Sequence, residues 1–256
     1  MSDFLIFAGV GFLAQLIDGA LGMGYGVISS VVLLATGVPP AQTSASVHAA
    51  KIFTTAASGT SHIIHGNVYR RILLILCIAG SIGGILGAMV LVNVAGGSIR
   101  PFVFGYLMVM GLVIIWRGLM LPGNKTVPGK LIAPLGTLGG FLDAIGGGGW
   151  GPVVTSSLIG AGAPPRFVVG TVNAAEFVVT CAVVSAFAAT IIFGVWEEAH
   201  GIMDQLTAVA GLVIGGLPAA LVAGWLLKKA PRKPLMIAVG ALVVGLSAYE
   251  LSKGLF

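Results

Sequence analysis

Charged side chains are rare in this sequence, and one of the few lies deep inside an apolar run. Lys51 stands about ten residues into the stretch 40–65, where a charge is costly and usually marks a transport path or a paired site. His48 and Ser44 precede it at spacings of three and four residues, so the three side chains share one helical face. This polar stripe predicts contacts to an anion or a proton, while a lone histidine in a helix is often only a satisfied hydrogen bonder.

Two glycine clusters, at residues 22–26 and 146–151, interrupt other apolar runs. Helix ends inside a membrane leave amide groups unpaired, and the helix after each cluster would direct its N-terminal N–H groups at the centre, which suits an anion. The alternative is that the glycines only let helices touch. The aromatic residue in each break either faces an organic substrate or packs. The candidate substrate-binding residues of the breaks are Gly22, Gly24, Tyr25, Gly26, Gly147, Gly149, Trp150 and Gly151.

An aspartate stands just before each break, Asp18 before the first and Asp143 before the second. Aspartate before a glycine-rich turn commonly accepts backbone N–H groups of the following helix. We therefore favour capping for both residues, and coupling to a cation is the alternative role.

The composition is that of a membrane protein. Of the 256 residues, 57% are apolar and 8% are charged, and the mean hydropathy is +1.07, far outside the range of soluble domains. The net charge of +5 comes from Lys and Arg in short connections, which indicates membrane topology and not a nucleic-acid partner. Cys77 and Cys181 lie inside apolar runs and form neither a disulfide framework nor a metal-ligand spacing.

Eight apolar runs follow one another along the chain. They lie at roughly 4–36, 40–65, 72–95, 99–121, 131–162, 164–195, 203–227 and 234–255. Six are plausible single spans, and the first and fifth are broken by the glycine clusters. We expect about a dozen to fifteen apolar residues in each half of a broken run, too few for the roughly 30 Å hydrocarbon core.

The two broken runs are copies of one pattern. At a constant offset of 125 residues, Asp18 aligns with Asp143 and Tyr25 with Trp150. Thirteen of the forty positions that start at Asp18 are identical. Such a match indicates an internal duplication of four segments plus four. The chain is thus one transmembrane domain, residues 1–256, with repeat one at about 4–121 and repeat two at about 131–255.

The duplication makes Glu176 the equivalent of Lys51, and Asn173 the equivalent of His48. Equivalent residues near the axis of a two-fold repeat lie close together, so Lys51 and Glu176 could form an ion pair inside the membrane. Three roles stay open: a structural pair, an anion-binding lysine with Glu176 as gate or proton carrier, or snorkelling of one side chain.

The basic residues of the connections orient the chain. If all eight runs crossed the membrane, six of the basic residues in the connections would lie on each side of it. If the fifth run is re-entrant, ten lie on one side and only Arg100 and Lys253 on the other. The second division fits the positive-inside rule, and the first run is made re-entrant by analogy. A hairpin and three crossings per half give an all-α protein with two inverted-topology repeats, a plan of secondary transporters. The loops expected in the cytoplasm are 70–71, 117–130, 166 and 228–233.

Enzyme motifs are missing from this sequence. It has no Walker glycine-lysine motif, HExxH, GxSxG elbow, or cluster of Cys and His at metal spacing. Neither hydrolysis nor ATP-driven transport therefore has residues to support it, and no cofactor or metal is expected.

The broken runs and the segments that follow them carry a family resemblance. Their sequences are LIDGALGMGYG with GVPPAQTSASVHAAK, and FLDAIGGGGWGP with GAPPRFVVGTVNAAE. With the chain length and the four-plus-four arrangement, they resemble the sulfite exporter TauE/SafE family, also called the toluene sulfonate uptake permease family. The resemblance implies transport of sulfur-containing anions such as sulfite, thiosulfate, sulfoacetate, taurine-related compounds or arenesulfonates, coupled to ion or proton gradients. It transfers no residue-specific site and no direction.

These features together predict a secondary transporter of small sulfur-containing anions in a bacterial inner membrane. Lys51 and His48 would supply positive charge at a midplane site, and Glu176 and Asn173 would form the opposite wall. The expected partners are an organosulfur or related anion and the lipid bilayer, with the oligomeric state open. An anion channel lined by the same stripe is one alternative, and a non-transport membrane partner or assembly protein is the other.

Overall fold

The computed structural model describes residues 2–120, 129–226 and 232–253, and these residues form helices and turns without a strand. Two 3-10 segments, Gly129–Leu131 and Glu197–Gln205, and a π-helical stretch, Gly151–Thr155, complete the helical elements. The predicted all-α class is confirmed for the described residues. The α-helices are α1 (Ser2–Leu21), α2 (Tyr25–Ala35), α3 (Pro40–Ile64), α4 (Arg70–Val92), α5 (Gly96–Leu119), α6 (Ile132–Gly146), α7 (Ser156–Gly160), α8 (Pro165–Ile192), α9 (Leu206–Leu221), α10 (Ala223–Leu226) and α11 (Arg232–Lys253).

Six helices in the described part of the chain are long and apolar enough to cross a bilayer. Their outward side chains include Leu5, Ile78 and Ile192, which are 64%, 66% and 77% exposed. An apolar exterior of this kind is suited to lipid and not to water. The six candidate spans are Asp3–Leu21, Arg70–Val92, Gly96–Leu119, Pro165–Ile192, Gly201–Leu221 and Lys233–Lys253.

Helix α3 has the length of a span but a different composition. Its 25 residues correspond to about 38 Å at 1.5 Å per residue. It is rich in Ser and Thr, and it buries Ser44, His48, Lys51 and Ser58. Because these polar side chains face other helices and not lipid, α3 is an inner helix of the bundle.

The first and fifth apolar runs are broken at the glycine clusters, between α1 and α2 and after α6. Gly22 and Gly147, which are equivalent at the 125-residue offset, have φ values of +69° and +68°, a left-handed conformation that favours glycine. One expectation was wrong: α1 has 20 residues and reaches membrane-spanning length by itself. Nothing interrupts its helix between Ser2 and the left-handed Gly22.

Corresponding helices of the two halves pack in corresponding pairs. Helix α1 lies along α9 and α6 lies along α4, while α3 packs on α8 and α5 on α11. Glycines permit the close approach: a side chain at Gly140 would collide with the carbonyl oxygen of Gly80, and one at Gly11 with that of Leu212. If each helix is replaced by its equivalent in the other half, the pair of α1 and α9 becomes the pair of α6 and α4. The pair of α3 and α8 and the pair of α5 and α11 each stay the same.

The contacts between α3 and α8 fix their relative direction. Lys51 meets Glu176 in the middle of both helices. Asn67, just beyond the end of α3, accepts a hydrogen bond of 2.6 Å from Arg166 at the start of α8. The two helices are therefore antiparallel.

Helices α5 and α11 are antiparallel by the same reasoning. Arg100 near the start of α5 lies 3.8 Å from Glu250 near the end of α11. At the other end, Gly118 faces Met236, near the start of α11. Of the predicted basic loops, residues 121–128 and 227–231, including Lys125, Lys228 and Lys229, lie outside the described residues.

The two breaks touch each other at the centre of the bundle. A side chain at Gly26 would collide with the carbonyl oxygen of Gly147, and one at Gly151 would lie 2.5 Å from that of Gly22. The Thr155 hydroxyl donates to the Gly22 carbonyl at 2.8 Å. The backbones of the two halves therefore meet where side chains are smallest.

Candidate functional site

Lys51 occupies the centre of a buried ion-pair network. Its Nζ donates to Oδ2 of Asp143 at 2.8 Å and lies 2.7 Å from Oε1 of Glu176. The lysine side chain is 1% exposed. Lys51 comes from the first half of the chain and both carboxylates come from the second, so the network ties the halves together.

His48 extends the network along the polar face of α3. Its Nε2 lies 3.0 Å from Oδ2 of Asp143, and its Nδ1 lies 2.8 Å from the carbonyl oxygen of Ser44. The Ser44 hydroxyl donates to the carbonyl oxygen of Ala144 at the end of α6. The predicted stripe of Ser44, His48 and Lys51 therefore faces the second break.

Asp143 serves two sets of partners with its two oxygens. While Oδ2 faces Lys51 and His48, Oδ1 accepts the backbone N–H groups of Gly149 at 2.8 Å and Trp150 at 3.1 Å. The left-handed Gly147 turns the chain back so that these amides lie over the carboxylate. Capping of this kind satisfies donors that a helix start would otherwise leave unpaired.

Asp18 has a similar place at the first break. Its Oδ1 accepts the N–H of Tyr25 at 3.3 Å, and its side chain is buried. Gly24 lies between these residues and caps the start of α2 with a carbonyl that accepts from Ile28. Among the described residues, Lys51 pairs with Asp143 and Glu176 and not with Asp18, so the two breaks differ in charge contacts.

Asn173 lies one helical turn from Glu176 but outside the ion-pair network. Its Oδ1 accepts from the Ser58 hydroxyl at 3.2 Å, and its amide nitrogen donates to the Val169 carbonyl at 3.2 Å. The structure thus brings together His48, Lys51, Asp143 and Glu176, while Asn173 joins α8 to α3 at a neighbouring level.

The aromatic residues of the breaks are packed into the core. Tyr25 is 2% exposed and its hydroxyl donates to the Leu212 carbonyl at 3.1 Å. Trp150 is fully buried and its Nε1 donates to the Val172 carbonyl at 3.0 Å. Of the two roles considered for these side chains, packing matches their surroundings in this conformation.

Two hydroxyl groups beside the second break were not singled out by the sequence. The Ser30 hydroxyl lies where a side chain at Gly147 would be, and the Tyr106 hydroxyl lies where one at Gly149 would be. Both are buried without a hydrogen-bond partner among the described residues. The only sequence signal is a polar atom within an apolar run, and buried donors of this kind suit a site that a polar ligand fills.

A metal site is not formed by the described residues. They contain no group of three or more His, Cys, Asp or Glu side chains arranged to hold a metal ion.

Sequence comparisons identify relatives over nearly the whole chain. Residues 7–250 match the profile of the family described as Sulfite exporter TauE/SafE. The chain is 43% identical over 258 residues to the "Probable membrane transporter protein YtnM" of Bacillus subtilis (strain 168), an alignment that covers 98% of this chain and 83% of that protein. It is also 28% identical over 115 residues to the "Sulfite exporter TauE/SafE family protein 6" of Arabidopsis thaliana, covering 43% of this chain and 27% of that protein. No solved structure matches. A profile match of this extent and a relative of this identity show that the chain belongs to the sulfite exporter TauE/SafE family of membrane transporters.

Proposed function

We propose that this protein is a secondary transporter of small sulfur-containing anions such as sulfite or a sulfonate. The relatives support transport, because one is named a membrane transporter and the other a sulfite exporter family protein. A bacterial inner membrane is the proposed location, since one relative comes from Bacillus and six helices have the properties of spans. Transport, and not catalysis, is the activity we assign.

The observation that carries the proposal is the buried network that joins the halves through Lys51. Its ammonium group, between Asp143 and Glu176, is removed from water, and a buried charge of this kind is costly unless it is paired. If the network served only to hold the helices together, apolar contacts could do so at a lower cost in free energy. We therefore assign Lys51 and His48 the role of the positive wall, which a substrate anion approaches when a carboxylate releases Lys51.

Glu176 is the carboxylate that we expect the substrate anion to replace as a partner of Lys51. It has one cationic partner, whereas Asp143 also contacts His48 and two backbone N–H groups. A proton on Glu176 would free the charge of Lys51 for a monoanion, so that one proton and one anion bind together without a change in the net buried charge. Transport would then be coupled to protons, because the anion replaces Glu176 only when Glu176 is protonated.

We infer that the two halves form an inverted repeat that alternates access. The antiparallel pairs α3 with α8 and α5 with α11 support this arrangement, because equivalent helices of inverted halves run in opposite directions. The similar φ values of Gly22 and Gly147 add to it. In secondary transporters of this plan, one half moves against the other around a midplane site, and the loops rich in Lys and Arg are cytoplasmic.

Flux measurements in liposomes test the proposal. The purified protein should exchange labelled sulfite or a short sulfonate against the same unlabelled anion, and the exchange should saturate. Currents from single open channels would instead favour a pore. Absence of flux together with a stoichiometric co-purifying subunit would favour the assembly-protein alternative.

Substitution of Lys51 tests its part in transport. Lys51→Ala leaves Asp143 and Glu176 without their cation, so we expect loss of exchange and a less stable protein, as removal of one partner of a buried pair costs about 3–5 kcal/mol. The double variant Lys51→Met with Glu176→Gln removes the lysine and one of its two carboxylate charges, and should recover part of the lost stability but not transport, because Asp143 keeps its charge. Normal exchange by either folded variant would remove Lys51 from the mechanism.

A further inference from the structure

A cavity of about 260 Å³ lies away from the Lys51 network, between the ends of α5, α7 and α11. Its walls are mostly apolar and include Met23, Ile159 and Met236, while Arg117 and Lys233 supply two positive charges. The volume is slightly below that of pockets for drug-sized ligands, about 300–1,000 Å³. The cavity is therefore suited to a small organic molecule.

Arg117 lines this cavity without a salt-bridge or hydrogen-bond partner in the described part of the chain. Its Nε is buried without a hydrogen-bond acceptor among the described residues, and none of their carboxylates forms a salt bridge with it. Its guanidinium stacks on the Trp116 ring at 4.5 Å, a contact that orients the group. A guanidinium presents a fork of N–H donors that matches a planar or trigonal oxyanion.

Arg100, at the other end of the same helix, shows how an arginine is satisfied here. It donates to the Leu34 carbonyl at 2.7 Å and lies 3.8 Å from Glu250. Arg117 lies similarly close to the end of α7, where a side chain at Gly160 would collide with its guanidinium, yet the described residues give it no such acceptors. The difference indicates that Arg117 can bind an anion.

The inner wall of the cavity reaches the first break. Leu21 and Met23 flank Gly22, and Ser156 and Val169 belong to the segments that contact it. A bound molecule would thus have its anionic end at Arg117 and its apolar part towards the broken helix. This continuity with the centre argues for a transported solute and against a lipid, whose acyl chains would extend along the outer surface.

We propose that Arg117 and this cavity form an access site for organic monoanions that combine an oxyanion group with an apolar body, such as alkanesulfonates. The site rests on the proposed transport function and specifies it: the apolar walls select organic anions over inorganic sulfite. Lys233 at the rim adds attraction for the incoming anion.

Binding can be measured without transport, by thermal unfolding of the detergent-purified protein with alkanesulfonates of increasing chain length. Ligand bound only to the folded state raises the unfolding temperature. The apparent affinity should rise about threefold to fourfold with each methylene until the cavity is full, and neutral sulfonamides of the same length should bind far less. Equal binding of inorganic sulfite and the longer sulfonates would overturn the selectivity.

Variants of the cavity assign the binding to Arg117. Arg117→Gln should weaken alkanesulfonate binding about tenfold to a hundredfold, the range for loss of a charged hydrogen bond. Gly160→Ala keeps the charge but displaces the guanidinium, and should weaken binding too. The controls are Arg70→Gln, which removes an exposed arginine elsewhere, and Gly97→Ala, which has open space around it. Unchanged binding in both cavity variants would refute the site.

Two further outcomes distinguish the access site from the transport function itself and from a lipid-binding site. Alkanesulfonate exchange that continues in liposomes without dependence on Arg117 or on chain length would refute the access site and leave the transport function intact. A lipid would be identified as the occupant, and the proposal overturned, by two results together. Sulfonates would not bind, and phosphatidylglycerol would stabilise the protein more than phosphatidylcholine does, in a manner that depends on Arg117.

Discussion

At the scale of single residues, Asp143 holds more of the central site together than any other described side chain. One oxygen contacts Lys51 and His48, and the other caps the second break. Asp18 holds the equivalent position, but its contact to the backbone of Tyr25 is longer. The two aspartates therefore share a sequence context and differ in their contacts.

Asp143→Asn should destabilise the protein by about 1–3 kcal/mol, because the buried donors of Lys51 and His48 lose this acceptor while Lys51 keeps Glu176 as its counter-charge. The new amide could still accept from Gly149, but its NH2 group would face the donors of Lys51 and His48. Asp18→Asn is the matched control and should cost less. Thermal unfolding of both variants in the same detergent measures the difference, and equal stability of the two would show that the additional contacts of Asp143 do not stabilise the protein.

At the scale of elements, the breaks depend on glycine for two separate reasons. Gly22 and Gly147 need the left-handed conformation, whereas Gly26, Gly148 and Gly151 need the absence of a side chain where two backbones meet. The first requirement is local to the turn. The second arises only because the two halves contact each other, as small residues allow in membrane bundles.

Gly147→Ala and Gly66→Ala separate these two requirements. Both residues are left-handed, with φ values of +68° at Gly147 and +65° at Gly66. A side chain at Gly66 would enter open space, whereas one at Gly147 would collide with the Ser30 hydroxyl. Gly66→Ala should cost about 1–2 kcal/mol from backbone strain alone. Gly147→Ala should cost more and also reduce transport, as measured by thermal unfolding and by sulfite exchange; equal effects would mean that the break tolerates a side chain.

At the scale of the whole molecule, α3 and α8 form the contact across which the proposed halves would move. A Cβ at Gly59 would lie 3.8 Å from the Cβ of Ala174, which is the usual separation in a disulfide, about 3.8 Å. The pair therefore offers a covalent lock at the interface that alternating access is proposed to rearrange.

The double variant Gly59→Cys with Ala174→Cys, made after replacement of Cys77 and Cys181 by alanine, should lose transport when oxidised and regain it on reduction. The physical reason is that a disulfide prevents relative movement of the two helices. Each single cysteine variant serves as the control for the effect of substitution alone. Full exchange by the completely cross-linked protein would show that α3 and α8 do not move apart during transport.

Much of the fold is predictable from the sequence because lipid imposes strong composition rules. Five of the six runs predicted as single spans coincide with candidate spans, with ends that differ by at most six residues. The sixth, 40–65, forms α3, which is not among the candidate spans because of its polar side chains. Gly22 and Gly147 predicted the breaks. The length of α1 was not predicted correctly, since a run broken near its middle reads as two short pieces although the first forms 20 helical residues. The family assignment, expected from the broken runs and the segments after them, is confirmed by the comparisons.

The sequence alone determined the membrane environment, the family and the buried position of Lys51, because hydropathy and local motifs are properties of short segments. Only the tertiary structure decided that Lys51 is held by Asp143 as well as Glu176. It also decided that Arg117 faces a cavity without an acceptor among the described residues. These partners are distant along the chain, and their contact depends on how the helices cross, which no single segment encodes.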